Sequence, residues 1–209
     1  YTTPTLLIGD NGRQYQVIVT NTETGQTAST LTSTAATLTV VGPATKLAII
    51  TGPVGGGSGA VLGTQPVIEI RDAQGNRTAS TANVTVAIQS GVGGTLGGTT
   101  TVAAVNGRAT FTDVTLAGTV STNYVLRFSS GLLATVDSSN VTVTAGTASK
   151  LAFTTQPSSS TVAGVAFSTQ PVVTVQDANG NTVTGSTASI ALTLTTGAGA
   201  LGGTATMNA

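Results

Sequence analysis

Two short stretches carry the residues best suited to holding a cation. Asp72-Ala73-Gln74-Gly75-Asn76 and Asp177-Ala178-Asn179-Gly180-Asn181 each place side-chain oxygens at both ends of a turn. Calcium takes about six to eight oxygen ligands, and no neighbouring cluster of Asp or Glu completes such a set around Asp72, Asn76, Asp177 or Asn181. The simpler expectation is an Asp side chain that caps its own turn. Acid–base catalysis has equally little to work with. Glu69 and Asp72 are the nearest carboxylates, but one falls in a strand and the other in a turn, with Arg71 between them. A catalytic pair needs a desolvated, concave setting. Three sequons, at Asn76, Asn83 and Asn140, offer N-linked glycosylation. In so Thr-rich a chain such matches arise by chance, and a plain solvated β surface accounts for them. Exposed Thr faces also offer sites for O-linked sugars.

The composition removes further chemistries. The 209 residues include no His, Cys or Trp. This excludes Ser-His-Asp and Cys-His triads, His/Cys zinc sites, c-type haem and disulfides. Seven Lys+Arg balance seven Asp+Glu, so no electrostatic footprint for nucleic acid exists. The expectation is a protein that is not an enzyme and carries no cofactor. Without Trp there is no good platform for a sugar, and the seven Tyr and Phe fall mostly at core-like strand positions. No run of 18 apolar residues marks a membrane helix, and no membrane insertion is expected. Tyr1-Thr2-Thr3-Pro4 has neither a charged nor an apolar leader character, which reads as an internal segment of a longer or processed chain.

The elements that must position these residues follow a repeat. Ala44-Thr45-Lys46-Leu47-Ala48-Ile49 returns as Ala148-Ser149-Lys150-Leu151-Ala152-Phe153, at an offset of 104 residues. Thr64-Gln65-Pro66-Val67, the Asp72 turn and Leu96-Gly97-Gly98-Thr99 all return at an offset of 105. Four blocks in register indicate duplication. Within the repeat the period is two: Val84, Val86 and Ile88 alternate with Thr85 and Ala87, as Ile190, Leu192 and Leu194 do with Ala191 and Thr193. Alternation of this kind makes strands with one face in a core and one in water. Gly, Asn, Asp and Pro interrupt the strands about every ten residues, the spacing of an all-β sandwich or barrel. About 105 residues with some seven short strands read as an immunoglobulin-like sandwich.

Asp10-Asn11-Gly12-Arg13-Gln14-Tyr15-Gln16-Val17 resembles the Asp-x-Gly-x-Tyr-x-Cys signature of immunoglobulin strand F. The resemblance implies a tyrosine corner, with the Tyr15 hydroxyl bonded back to backbone near Asp10. Val17 stands where the family has Cys, which implies aliphatic packing in place of the intersheet disulfide. Asn21…Gly25 resembles the turn that follows, and Ala36-Thr37-Leu38-Thr39-Val40 the closing strand G. Lys-Leu-x-Ile/Phe opening a module and Pro-Val-x-x-Val/Ile-x-Asp-Ala-x-Gly-Asn within it resemble the tandem Ig-like modules of large bacterial surface proteins and adhesins. Tyr124 parallels Tyr15. The expected organisation is therefore 1–41 as strands E to G of one domain, 42–146 as a complete domain, and 147–209 as strands A to D of another.

Lys46, Glu69 and Asn140 resemble the Lys-Glu-Asn set of intramolecular isopeptide bonds in bacterial pilins and adhesins. The next repeat keeps Lys150 but has Thr174 in place of Glu69, so Lys46 is expected to be a surface residue that opens the module. The resemblance implies an extracellular or cell-surface stalk, fibre or surface-layer element, with neighbouring copies or repeats as partners. The complementary halves at the two ends fit either a long tandem array or subunits that complete one another's split domains. The alternative function is an adhesin or carbohydrate-binding accessory module of a secreted enzyme, with a cell-surface or glycan ligand.

Overall fold

A computed structural model describes residues 5–22, 24, 25, 27 and 29–209. The expected strand around Tyr1 lies outside the described residues. The described residues are all-β, with one 3-10 turn at Ile8–Asp10. Its strand pairs fall into three sets along the chain.

The central set holds nine strands: β5 (Lys46–Thr51), β6 (Val67–Arg71), β7 (Asn83–Ser90), β8 (Thr95–Gly97), β9 (Thr101–Ala103), β10 (Arg108–Thr110), β11 (Thr115–Ala117), β12 (Val125–Ser129) and β13 (Val136–Asp137). Before it come β1 (Gln14–Tyr15), β2 (Ile18–Thr20), β3 (Thr30–Thr32) and β4 (Ala36–Thr37). After it come β14 (Ala148–Thr155), β15 (Val172–Asp177), β16 (Ser189–Ala191) and β17 (Thr206–Asn208).

In the central unit the sheets β10-β6-β5 and β13-β12-β7-β9 lie on opposite sides of one core, with the pair β11-β8 beside them. This is a fold of the β-sandwich class. Alternation supplies the core from both sheets: Ile68 and Ile70 from β6, Val84 and Val86 from β7, and Leu126 and Phe128 from β12 are all buried. Phe111 and Phe128 meet with ring centroids 5.9 Å apart, a tilted aromatic contact. The β9–β10 connection is a two-residue turn at Asn106-Gly107, both with positive φ (49° and 74°). Such a turn matches the strand twist, and Asn-Gly is the sequence that adopts it most readily.

The flanking units repeat parts of this plan. β14 pairs with β15 in the pattern of β5 with β6: Leu151↔Val175 repeats Leu47↔Ile70. β16 pairs with β17 as β7 does with β9: Ile190↔Met207 repeats Val84↔Val102. In the first unit, the Ser33 backbone N–H donates to the Val17 carbonyl (2.9 Å) and the Ser33 hydroxyl accepts from the Val17 N–H (3.0 Å). Ser138 makes the same two bonds to Leu126 at 2.8 and 3.0 Å. The 5–41 segment therefore already holds the hairpin that follows Tyr124 in the central unit.

Candidate functional site at the joints between units

The Asp-Ala-x-Gly-Asn turns close through glycine. Gly75 and Gly180 have φ of 93° and 87°, a region where a Cβ is strained. The backbone N–H of Asn76 donates to the Asp72 carboxylate at 2.8 Å, and that of Asn181 to Asp177 at 2.9 Å. Each Asn side-chain amide adds a second bond to its Asp, at 3.0 and 2.8 Å. A further bond reaches back to the segment that enters the unit. Gly42 N–H donates to Asp72 Oδ2 (3.0 Å) and Gly146 N–H to Asp177 Oδ2 (2.8 Å).

The Asn then faces the preceding unit. Asn181 Oδ1 accepts from the Val120 N–H (3.0 Å), and its amide donates to the Gly118 carbonyl (2.8 Å). At the first joint the Asn11 amide donates to Asn76 Oδ1 at 3.4 Å. Asn11 stands as far before Tyr15 as Val120 does before Tyr124, so both joints use the same loop. The second joint is more extensive. Ser58 Oγ accepts from the Asn179 amide (2.8 Å) and from the Gly118 N–H (2.9 Å). A Cβ on Gly146 would run into the Ser58 carbonyl, whereas one on Gly42 would find only ordinary contacts at 3.6 Å.

This geometry sets the electrostatics. Burial works against the charged form of Asp177, but the Asn181 amide and the N–H groups of Gly146, Asn181 and Asn179 outweigh it, holding the pKa below the usual aspartate range. Asp72 is lowered in the same way, with burial offset by the Asn76 amide and the N–H groups of Gly42, Asn76 and Gly75. Both carboxylate oxygens of each Asp face N–H donors, which is anion solvation and not cation coordination. The four residues considered for calcium are thus built into clamps, and among the described residues no group of three or more acidic side chains gathers to hold a metal.

A second cluster lies on the outward face of β6. Glu69 accepts from Arg71 (2.8 Å) and Arg108 (3.0 Å), and Arg77 stands 3.7 Å away. Burial of Glu69 raises its pKa, but the bonds and charges of Arg71 and Arg108 reverse this and leave it lowered. Three of the chain's seven cations therefore surround one carboxylate. The next repeat has Thr174, Gln176 and Thr182 at the places of Glu69, Arg71 and Arg77, so the fold itself does not require the cluster.

The Lys-Glu-Asn set is not assembled. Lys46 Nζ donates to the Ala73 carbonyl (3.0 Å), Glu69 is held by the arginines, and Asn140 is exposed. An isopeptide condensation needs amine and amide in contact beside the acid, and no hydrogen bond here joins any two of the three. Among the sequons, Asn83 and Asn140 are exposed, whereas the Asn76 amide is engaged by Asp72. Tyr124 forms the expected corner: its ring is fully buried and its hydroxyl accepts from the Thr119 N–H (2.9 Å). Tyr15 does not. It is 48% exposed, and the Asp10 N–H that would reach its hydroxyl donates instead to the Leu7 carbonyl. Asp10 binds Arg13 (3.3 Å) and the Leu7 N–H (2.9 Å).

No protein-family profile, curated protein or solved structure matches the chain.

Sequence reasoning missed the joint partners Ser58, Asn179 and Gly118. A signal for the clamp was present: Gly42 precedes Asp72 by nearly the interval at which Gly146 precedes Asp177.

Proposed function

We propose that the chain is a structural repeat segment of an extracellular fibre, stalk or surface-layer protein, built from tandem immunoglobulin-like sandwiches at the cell surface. The observation that carries this reading is the pair of equivalent clamps, Asp72/Asn76 and Asp177/Asn181: each Asp holds the Gly of the incoming segment, and each Asn meets the preceding unit, through buried and half-buried bonds at Asn181 and an exposed 3.4 Å bond at Asn76. A linker of a few residues with such bonds holds units at a set angle, whereas a Gly/Ser tether leaves them free. The units serve as spacers, and neighbouring copies or repeats are the partners. Seven Lys and Arg in 209 residues also leave trypsin few sites. Electron microscopy of the native material tests the reading. Elongated particles with a regular repeat are expected, and isolated globular particles would defeat it.

A second reading, an adhesin or carbohydrate-binding accessory module, rests on the Glu69 cluster. Arg71, Arg77 and Arg108 bring three positive charges against one negative on a face that the next repeat leaves neutral. Guanidinium groups recognise carboxylate and sulfate well, so the ligand class would be an acidic glycan. Titration with a sulfated polysaccharide should then give binding that Arg108→Ala weakens about tenfold, an effect of about 1.4 kcal/mol. Equal binding by both chains would remove the reading.

A further inference from the structure

The flanking units expose what the central unit buries. Leu126 and Phe128 are fully buried, whereas their counterparts Val17 and Val19 are 64% and 61% exposed. Val86 is buried, and its counterpart Leu192 is 38% exposed, with Leu194 after it at 48%. An apolar cleft of ≈ 680 Å³ opens between β14–β15 and β16–β17, lined by Leu151, Phe153, Val173, Ile190, Leu192 and Met207 among others. In the central unit this space is filled by Phe111 through Val143. Residues 5–41 carry the same kind of segment with its hairpin already formed.

We infer that the cleft of residues 147–209 is filled by residues 5–41 of a second copy, head to tail. This rests on the spacer reading above and deepens it by naming the partner and the register. In the central unit Leu126 lies opposite Ile88, Phe128 opposite Val86 and Leu116 opposite Leu96. Transferred to the joined copies, Val17 lies opposite Leu194, Val19 opposite Leu192 and Leu7 opposite Leu201. A one-residue slip would turn each of these to the wrong face.

The glycines supply an independent argument. The Tyr124 ring packs where Gly91, Gly94 and Gly118 have no side chain, and a Cβ on any of the three would overlap it. Their counterparts Gly197, Gly199 and Gly9 have nothing within 4 Å. The C-terminal unit thus keeps two of the three seat glycines, Gly197 and Gly199, without a tyrosine, and the first unit keeps an exposed Tyr15 with only Gly9 of the seat. Gln65 agrees: its side chain bonds the Val114 carbonyl and N–H at 2.9 and 3.0 Å. Gln170 holds the Phe167 carbonyl (2.8 Å) as Gln65 holds that of Leu62. The Val114 place falls to Thr5 of the incoming copy.

The chain lacks cysteine, so disulfide trapping tests the register directly. Leu126 directs its backbone bonds toward Ser138, which makes Leu126/Ile88 a non-hydrogen-bonded pair. Cα atoms in such pairs are about 4.5 Å apart, within disulfide reach. The 209-residue chain carrying Val17→Cys and Leu194→Cys, oxidised at micromolar concentration, should give a reducible ladder at multiples of 20.3 kDa. Ile18→Cys with Leu194→Cys should give at least tenfold less. Gly199→Val, which closes the tyrosine seat, should weaken association of the unmodified chain at least tenfold in sedimentation velocity while the central unit's thermal transition stays in place. A chain that stays monomeric up to millimolar concentration, or an equal ladder from Ile18→Cys, overturns the inference. An in-frame fusion of two copies separates its failure from that of the spacer reading. If the fusion buries the Tyr15 of its second copy while separate chains stay apart, completion occurs only within a chain; the array survives and the second copy is excluded as partner. If the fusion buries nothing at its junction, the array of equivalent units falls as well.

Discussion

Leu47 and Leu151 occupy the same place in successive repeats, yet one is 5% exposed and the other 55%. Their local settings match: each lies in a strand that opens a unit, paired in the same register with the strand before the Asp turn. The difference lies about 80 residues further along the chain, where Leu126, Phe128, Val141 and Val143 close the central core. Fully burying a Leu side chain is worth about 1.5–3 kcal/mol. The strands of the flanking units thus form from local alternation and pairing, while many of their apolar side chains stay exposed. Strand formation and core formation, usually seen together, are separated here within one chain.

The sharpest way to break this comparison is to truncate equivalent core positions. Phe128→Ala should lower the stability of the central unit by about 3–5 kcal/mol in urea unfolding. Val19→Ala, at the counterpart position, should change it by less than about 0.5 kcal/mol in dilute chain, as at an exposed site. Comparable losses would mean that the first unit has a closed core of its own.

Gly146→Ala and Gly42→Ala compare the joints. The first pushes a methyl into the Ser58 carbonyl and should cost about 1–3 kcal/mol or shift the unit. The second should be tolerated, and two-dimensional NMR of the units reads both. At Glu69, loss of charge leaves three arginines without their counter-ion. Glu69→Gln should cost about 1–2 kcal/mol, below the range for a fully buried pair because the arginines are 32–46% exposed and can turn to water. Thr174→Ala, at the equivalent place in the next unit, should have little effect.

The smallest effect is expected from pH. Both clamp aspartates have lowered folded pKa values. Their contribution is therefore complete above the ordinary aspartate value of about 3.9. It is lost as pH falls below that and through the lower folded values. Small-angle scattering should show a constant maximum dimension from pH 7 to 4.5 and a broader distribution of interunit distances near pH 2.5. Asp177→Asn should give that distribution at neutral pH, and a pH-independent envelope would show that the clamps do not set the angle.

Much of the architecture could be read from the chain because alternation and turn chemistry are local. Val84, Val86 and Ile88 announce their strand, and Gly75 and Gly180 have the positive φ expected of the Asp turns. Tyr124 could be placed by analogy with Tyr15, and there the analogy divides. A tyrosine corner depends on what the ring rests against, here Gly91 and Gly94 from more than 25 residues upstream, whereas Tyr15 is left exposed. The clamps escaped the sequence reading in a similar way. The turn was evident, but its Asp reaches back some 30 residues to Gly42 or Gly146, a distance no local pattern records. The Glu69 cluster gathers Arg108 from a strand that pairs only in the folded sheet.

The two clamps also have a geometric consequence. At each joint the turn Asp holds the Gly of the incoming segment and the Asn faces the preceding unit's loop, so successive steps along an array would resemble one another. Repeating one such operation generates a screw. A long chain of these units would then have a pitch fixed at its joints, with handedness set by the angle at which one buried Asn meets the loop before it. The differences between the joints, a 3.4 Å side-chain bond at Asn76 against backbone bonds at Asn181 and the extra bonds through Ser58 and Asn179, are where that pitch would vary along the length.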